Sequence, residues 1–231
     1  MEAPITNRLL DALPEESRSS LLAMLEPVAI PVGQAIFEPH GTPRYVHFVT
    51  SGMISMVTSM RGGELVEVGL VGREGLAEGL HLLGPELGTK QAFVQIAGTA
   101  LRMSFRRFDE EFQKDASLRR FVLRFVQYES LVLAQIAACN RLHNVEERLA
   151  RWLLMVQDRI GEMSIDLTQE LLGEMLGTRR SSVTLAAGGF QRSGLIEYRR
   201  GTIHIENRER LEQCACECYA SITQLFKDLY R

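Results

Sequence analysis

Residues 166–212 read DLTQELLGEMLGTRRSSVTLAAGGFQRSGLIEYRRGTIHIENRERLE, and the spacing of their apolar residues changes from helical to alternating along the way. Thr168 can cap a helix whose Leu171, Leu172, Met175 and Leu176 share a face, and Gly177 then permits a sharp reversal. Thr178 is a second capping candidate, and the helix it opens gathers Val183, Ala186, Ala187 and Phe190 on one side. Its other side presents Arg180, Ser181, Thr184, Gly188 and Gln191, small or hydrogen-bonding residues that let a helix approach a major groove closely. Downstream, LIEY and TIHIE flank Arg199-Arg200-Gly201, which reads as a tight hairpin with two cations near its tip. Two short helices followed by a hairpin predict a winged helix-turn-helix.

The whole chain of 231 residues carries a net charge of −3, a poor match to phosphate. The distribution says otherwise. Between Thr178 and Thr202 there are five arginines and one acid, Glu197. Double-stranded DNA is therefore the expected partner, with Thr178, Arg179, Arg180, Ser181, Thr184 and Gln191 facing it and Arg199 and Arg200 clamping phosphate. Arg180 is the expected base reader, because a guanidinium can donate two parallel bonds to guanine.

Working toward the N-terminus, Val145 to Ile160 reads as a helix ended by Gly161, and Phe108 to His143 as a long helix free of Pro and Gly. Along the long one, Leu118, Phe121, Phe125, Tyr128, Val132, Gln135, Cys139 and Leu142 alternate spacings of three and four. That is a heptad seam, and it predicts a parallel homodimer. Residues 28–105 read as short strands punctuated by glycines, a sandwich or roll, after a helical start that ends near Pro27.

Chemistry of the catalytic kind is not expected. The five histidines are scattered, with no metalloprotease spacing and no nucleophile beside them, so the chain is read as no enzyme. Cys139, Cys214, Cys216 and Cys218 are too few and too clustered for a secreted disulfide framework. CACEC invites a metal, but two-residue spacing on one helix would turn Cys216 away from its neighbours. No metal and no cofactor are expected. The first residues lack a signal-peptide pattern and no 18 apolar residues run together, so a cytoplasmic chain without a membrane partner is expected.

LTQELLGEMLGTRRSSV with GLIEYRRGTIHI resembles the helix-turn-helix and wing of the cyclic-AMP receptor and fumarate-nitrate regulator (Crp/Fnr) family of transcription factors. IPVGQAIFEPHG, YVHFVTSGMISM and GLVGREGLAEGLHLLG resemble the family's β-roll sensor. The resemblance implies an α+β chain: a cyclic-nucleotide-binding-like β-roll over residues 1–107, a dimerisation helix over 108–143, and a winged helix-turn-helix over 144–231. It also implies a base contact for Arg180, a phosphate contact for Ser182, and RNA polymerase as a partner if the chain activates. In the sensor it places Glu78 near a ribose-binding carboxylate, with Lys90 the nearby cation in an effector site.

The departures are as specific as the matches. Leu185 stands where cyclic-AMP-type members carry another base-reading arginine, and Ser181 where they carry an acid. Thr89-Lys90-Gln91 replaces the arginine expected for a cyclic phosphate, and Leu133 and Ala134 replace adenine-bonding hydroxyls. Cyclic AMP is thus not the expected ligand, and the effector stays unnamed. No cysteine occurs among the first 138 residues, where iron–sulfur members of the family place ligands. A sensor acting mainly through protein partners is the alternative reading.

Overall fold

A computed structural model describes residues 7–84 and 90–231. Thr89, in the stretch that replaces the arginine expected for a cyclic phosphate, lies outside them. The described residues pack as two compact units, one holding those up to Met56, from Gly69 to Ser130 and Lys227–Arg231, the other Val57–Val68 and Leu131–Phe226. These units cut across the three consecutive segments expected from the sequence.

The first unit opens with α1 (Arg8–Ala12), capped by Asn7, whose Oδ1 accepts the Leu9 and Leu10 N–H groups. The Asn7 amide also donates to the carbonyls of Val49 and Gly75, both at 2.9 Å. After α2 (Glu15–Leu22) come β1 (Glu26–Ile30), β2 (Ala35–Phe37), β3 (Tyr45–Ser59), β4 (Leu65–Val71) and β5 (Lys90–Ser104). They form a five-stranded sheet in the order β1-β5-β3-β4, with β2 also on β5. The helical start ends at Leu22, and Pro27 lies within β1, where it pairs with Leu101. β1 is an edge strand, where a missing N–H costs no ladder bond.

The long helix is two helices. α3 (Phe105–Lys114) stops at Asp115, whose backbone is extended, and α4 (Ala116–Leu142) starts afresh. The Asp115 carboxylate accepts the N–H groups of Ser117 and Leu118 at 2.7 and 3.0 Å, so a capping acid rather than a Gly or Pro makes the break.

The expected dimer seam turns inward. Leu118, Phe121, Phe125, Tyr128, Val132 and Cys139 are all buried within the chain itself, and Gln135 is half-buried with its amide on Cys218. Phe125 fills the space that a side chain at Gly75 would take. Only Leu142 of the expected seam is exposed. The exposed stripe lies roughly half a turn away on a helix of about 100° per residue: Leu123, Gln127, Ser130, Ala134, Ala137 and Arg141, again spaced by fours and threes, with Leu131 beside it. α4 has the length and apolarity of a membrane-crossing helix, yet one face is filled by its own chain and the other carries Gln127, Ser130, Asn140 and Arg141.

The second unit is built around α5 (Val145–Ile160), bounded as its sequence predicts. Asn144 and Glu147 close a reciprocal capping box, and Gly161 takes the left-handed conformation at φ 74°. Trp152, Leu149 and Leu153 fill the interior, and the indole N–H of Trp152 donates to the buried Glu67 carboxylate at 2.7 Å. Against α5 pack α6 (Gln169–Leu176), α7 (Arg180–Arg192) and α8 (Arg208–Cys214). A third strand, unforeseen from sequence, completes the wing: β6 (Ser164–Asp166) joins β7 (Ile196–Arg199) and β8 (Thr202–Ile205) in the order β6-β8-β7. α9 (Cys218–Asp228) follows a break at Ala215, whose backbone is extended. CACEC therefore does not lie on one helix, and the reason for turning Cys216 away from its neighbours falls.

Candidate nucleic-acid interface

Thr168 caps α6 by accepting the Leu171 N–H, and Gly177 closes it at φ 56°. The turn is tight: a side chain at Gly173 would come within 3.1 Å of the Thr178 carbonyl. Apolar packing then fixes the rotation of α7. Val183, Ala186, Ala187 and Phe190 are buried, which leaves Arg180, Ser181, Thr184, Leu185 and Gln191 exposed.

The N-cap of α7 is Arg179, not Thr178, and no side chain caps it. Thr178 belongs to the preceding turn, where its N–H is spent on the Gly173 carbonyl at 2.9 Å. The first turn of α7 carries no acid. Arg179 and Arg180 sit instead where the positive end of the helix dipole disfavours cations by about 0.3–1 kcal/mol each. Uncapped N–H groups beside two exposed guanidiniums make an anion-attracting end that helix stability alone would not select.

Two expected contact residues have partners already. The Thr184 hydroxyl donates to Gln169 Oε1 at 2.8 Å and lies 3.0 Å from the Arg180 carbonyl, joining α7 to α6. Gln191 Oε1 accepts the Tyr198 N–H at 3.2 Å, joining α7 to the wing. Tyr198 in turn donates its hydroxyl to the Leu167 carbonyl at 3.0 Å. Burial raises the Tyr198 pKa, while the Gln169 backbone hydrogen bond and the Arg180 charge pull it down. Ser182 is half-buried and Ser181 open.

The wing tip is a two-residue turn. Arg199 pairs with Thr202, and between them Arg200 and Gly201 both have positive φ, 52° and 87°. This matches the twist of a hairpin but is normally the place of Asn or Gly. Both Arg199 and Arg200 are exposed.

Residues 147–214 match the Crp-like helix-turn-helix domain. The chain is homologous to the Crp/Fnr transcriptional regulators. It is similar to electron transport regulator A of Shewanella oneidensis, 25% identical over 79% of this chain and 76% of the relative. The fumarate and nitrate reduction regulatory protein of Escherichia coli is 24% identical over the same shares. Its fold is similar to that of FixK2 from Bradyrhizobium japonicum, with a TM-score of 0.69 at 16% identity, covering 83% of this chain and 98% of that one. A CRP-family regulator from Thermus thermophilus gives a TM-score of 0.66 at 18% identity, over 81% and 96%. This Crp/Fnr-type regulator thus pairs a cyclic-nucleotide-binding-like sheet with a winged helix-turn-helix.

In the first unit, Glu78 is neither a surface carboxylate nor an open ligand. It is fully buried before a single 3-10 turn, Gly79–Leu82, and both of its oxygens face His47: the ring Nδ1 at 2.7 Å and the backbone N–H at 3.2 Å. Lys90 begins β5, half-buried. His81, within that 3-10 turn, has its pKa lowered by burial, with Glu78 pulling it up and Lys90 down.

Proposed function

We propose that the chain acts as a homodimer that binds a two-fold-related DNA site by sequence, placing α7 of each protomer in successive major grooves. The first turn of α7 carries this reading: two exposed arginines, no acid and no capping side chain, at a cost to helix stability that a phosphate backbone would repay. Arg180 reads a base, Ser182 and the free N–H groups take phosphate, and Arg199 and Arg200 hold the backbone beside the groove. Thr184 and Gln191 serve chiefly as braces for α7.

The dimer forms through the exposed stripe of α4 around Leu123, Leu131 and Ala134, where small residues let two helices approach closely. Cyclic AMP is not the effector. Glu78 is committed to His47, and Lys90 offers a point charge where a fixed cyclic phosphate favours a guanidinium fork. The reading places the chain in the cytoplasm, with RNA polymerase as its partner at activated promoters.

Selection of bound duplexes from a random library by the full-length chain tests this directly. The expected product is an inverted repeat whose half-sites lie about one helical turn apart, about 34–36 Å. Recovery of unenriched sequence, or of a single half-site bound by one chain, overturns it.

A further inference from the structure

Four side chains that no DNA contact uses converge inside the second unit. Cys139 lies in the last turn of α4 and His143 just past its end, where its N–H donates to the Cys139 carbonyl, while Cys216 precedes α9 and Cys218 opens it. Their candidate donor atoms, three sulfurs and one ring nitrogen, all lie within 4.8 Å of one another. Cys139 Sγ is 3.5 Å from Cys216 Sγ, and Cys218 Sγ is 3.6 Å from His143 Nδ1. A tetrahedral zinc ion with bonds of about 2.3 Å to sulfur and about 2.0 Å to nitrogen requires donor separations of roughly 3.5–3.8 Å. A four-iron cluster would hold its cysteine sulfurs much farther apart.

The surroundings fit a ligand set as well. The other ring nitrogen of His143, Nε2, lies 3.2 Å from the Glu217 carboxylate, the partner that orients a metal-bound imidazole and fixes its tautomer. The Gln135 amide donates to Cys218 Sγ at 3.0 Å. The three cysteines are buried, and Arg148 and Arg151 supply positive charge close by. Cys214, the fourth cysteine, stands outside the group.

We propose that Cys139, His143, Cys216 and Cys218 form a mononuclear zinc site that clamps the C-terminal part of α4 to the junction of α8 and α9. Three cysteines and one histidine close the coordination sphere, so the site is structural and leaves no position for a substrate. Binding releases the thiol protons to solvent, and affinity rises with pH.

The full-length chain, purified under reducing conditions, is to be analysed for metal and by X-ray absorption. One zinc per chain is expected, with three sulfur neighbours at about 2.3 Å and one nitrogen at about 2.0 Å. Cys216→Ser and Cys139→Ser should lower the zinc content at least tenfold, while Cys214→Ser keeps it. Because loss of a buried thiol can unfold the junction, cobalt(II) added to the unaltered metal-free chain gives an independent reading. Thiolate-to-cobalt charge transfer with tetrahedral visible bands supports the site. Octahedral cobalt, a chain that takes up no zinc, zinc retained by both serine variants, or a Cys139–Cys216 disulfide in place of metal overturns it.

Discussion

Gln191 Oε1 accepts the backbone N–H of Tyr198, so the last turn of α7 and the wing strand β7 share one side-chain brace. Gln191→Ala should leave that N–H without its partner and cost about 1 kcal/mol of stability. DNA affinity should fall on all sequences alike, because the wing loosens while the outward face of α7 is unchanged. Gln191→Glu keeps an acceptor oxygen and should restore most of the stability but not the DNA affinity, because it sets a negative charge beside phosphate. Thermal unfolding alongside titration of specific and random duplexes measures both effects.

Arg180 and Arg200 should fail in different ways. Arg180→Ala should cost about 1–3 kcal/mol on the selected site and little on random DNA. Arg200→Asn suits the positive φ of the turn while removing the charge, so it should weaken both and reduce the salt slope by about one. Equal losses on both duplexes for Arg180→Ala would refute its role as base reader.

The two faces of α4 should separate cleanly. Leu131→Glu, on the exposed stripe, should give a folded monomer that binds the palindrome poorly. Phe125→Ala, on the buried face, should cost about 3–5 kcal/mol of stability without specifically splitting the dimer. Light scattering with far-ultraviolet circular dichroism distinguishes them, and a Leu131→Glu dimer of undiminished affinity would send the interface elsewhere.

Calorimetric titration with cyclic AMP should show no micromolar binding, and operator affinity should change less than twofold when the nucleotide is added. Coupling of tenfold or more, about 1.4 kcal/mol, would mean that His47 releases Glu78 to a ligand.

His81 supplies a pH dependence. Its folded pKa lies below the ordinary value of 6.5, mainly through burial, so the unfolded chain binds the proton more readily. Stability contributed here is complete above pH 6.5 and is lost as the pH falls from there through the folded pKa. His81→Gln should flatten that acid-side decline in a urea midpoint series, and an unchanged slope would exclude His81 as its source.

Much of this architecture can be read directly from residues. The limits of α5 follow from Asn144, Glu147 and Gly161, and the turn before α7 from Gly177, because caps and positive-φ glycines act locally. The burial of the expected seam on α4 within its own chain has a physical reason: a run of heptads shows that a face is apolar, not whether its own chain or a second copy covers it. Phe125 and Leu131 differ in burial only because of what packs on them from elsewhere in the fold. The Asp115 break offered one missed signal, an acid immediately ahead of a new helix. For CACEC the missing fact was the extended backbone at Ala215, and Cys139 with His143, more than seventy residues away in sequence, gives no local hint of its company. β6, three residues long, exists only because β8 offers it an edge.

The bond from Trp152 to Glu67 bears on how the second unit can be made. Val57–Val68 belongs to that unit although more than sixty residues of chain separate it from Leu131, and Val66 lies where a side chain at Gly177 would project. A fragment starting at Leu131 would strand the indole N–H and uncover the α6–α7 turn. During synthesis residues 57–68 emerge first and must wait for α5, so this half of the molecule closes late and over a long loop. Expressed alone, residues 131–231 should be less cooperative in unfolding than the same residues in the intact chain, and a peptide spanning 57–68 supplied in trans should recover part of the difference.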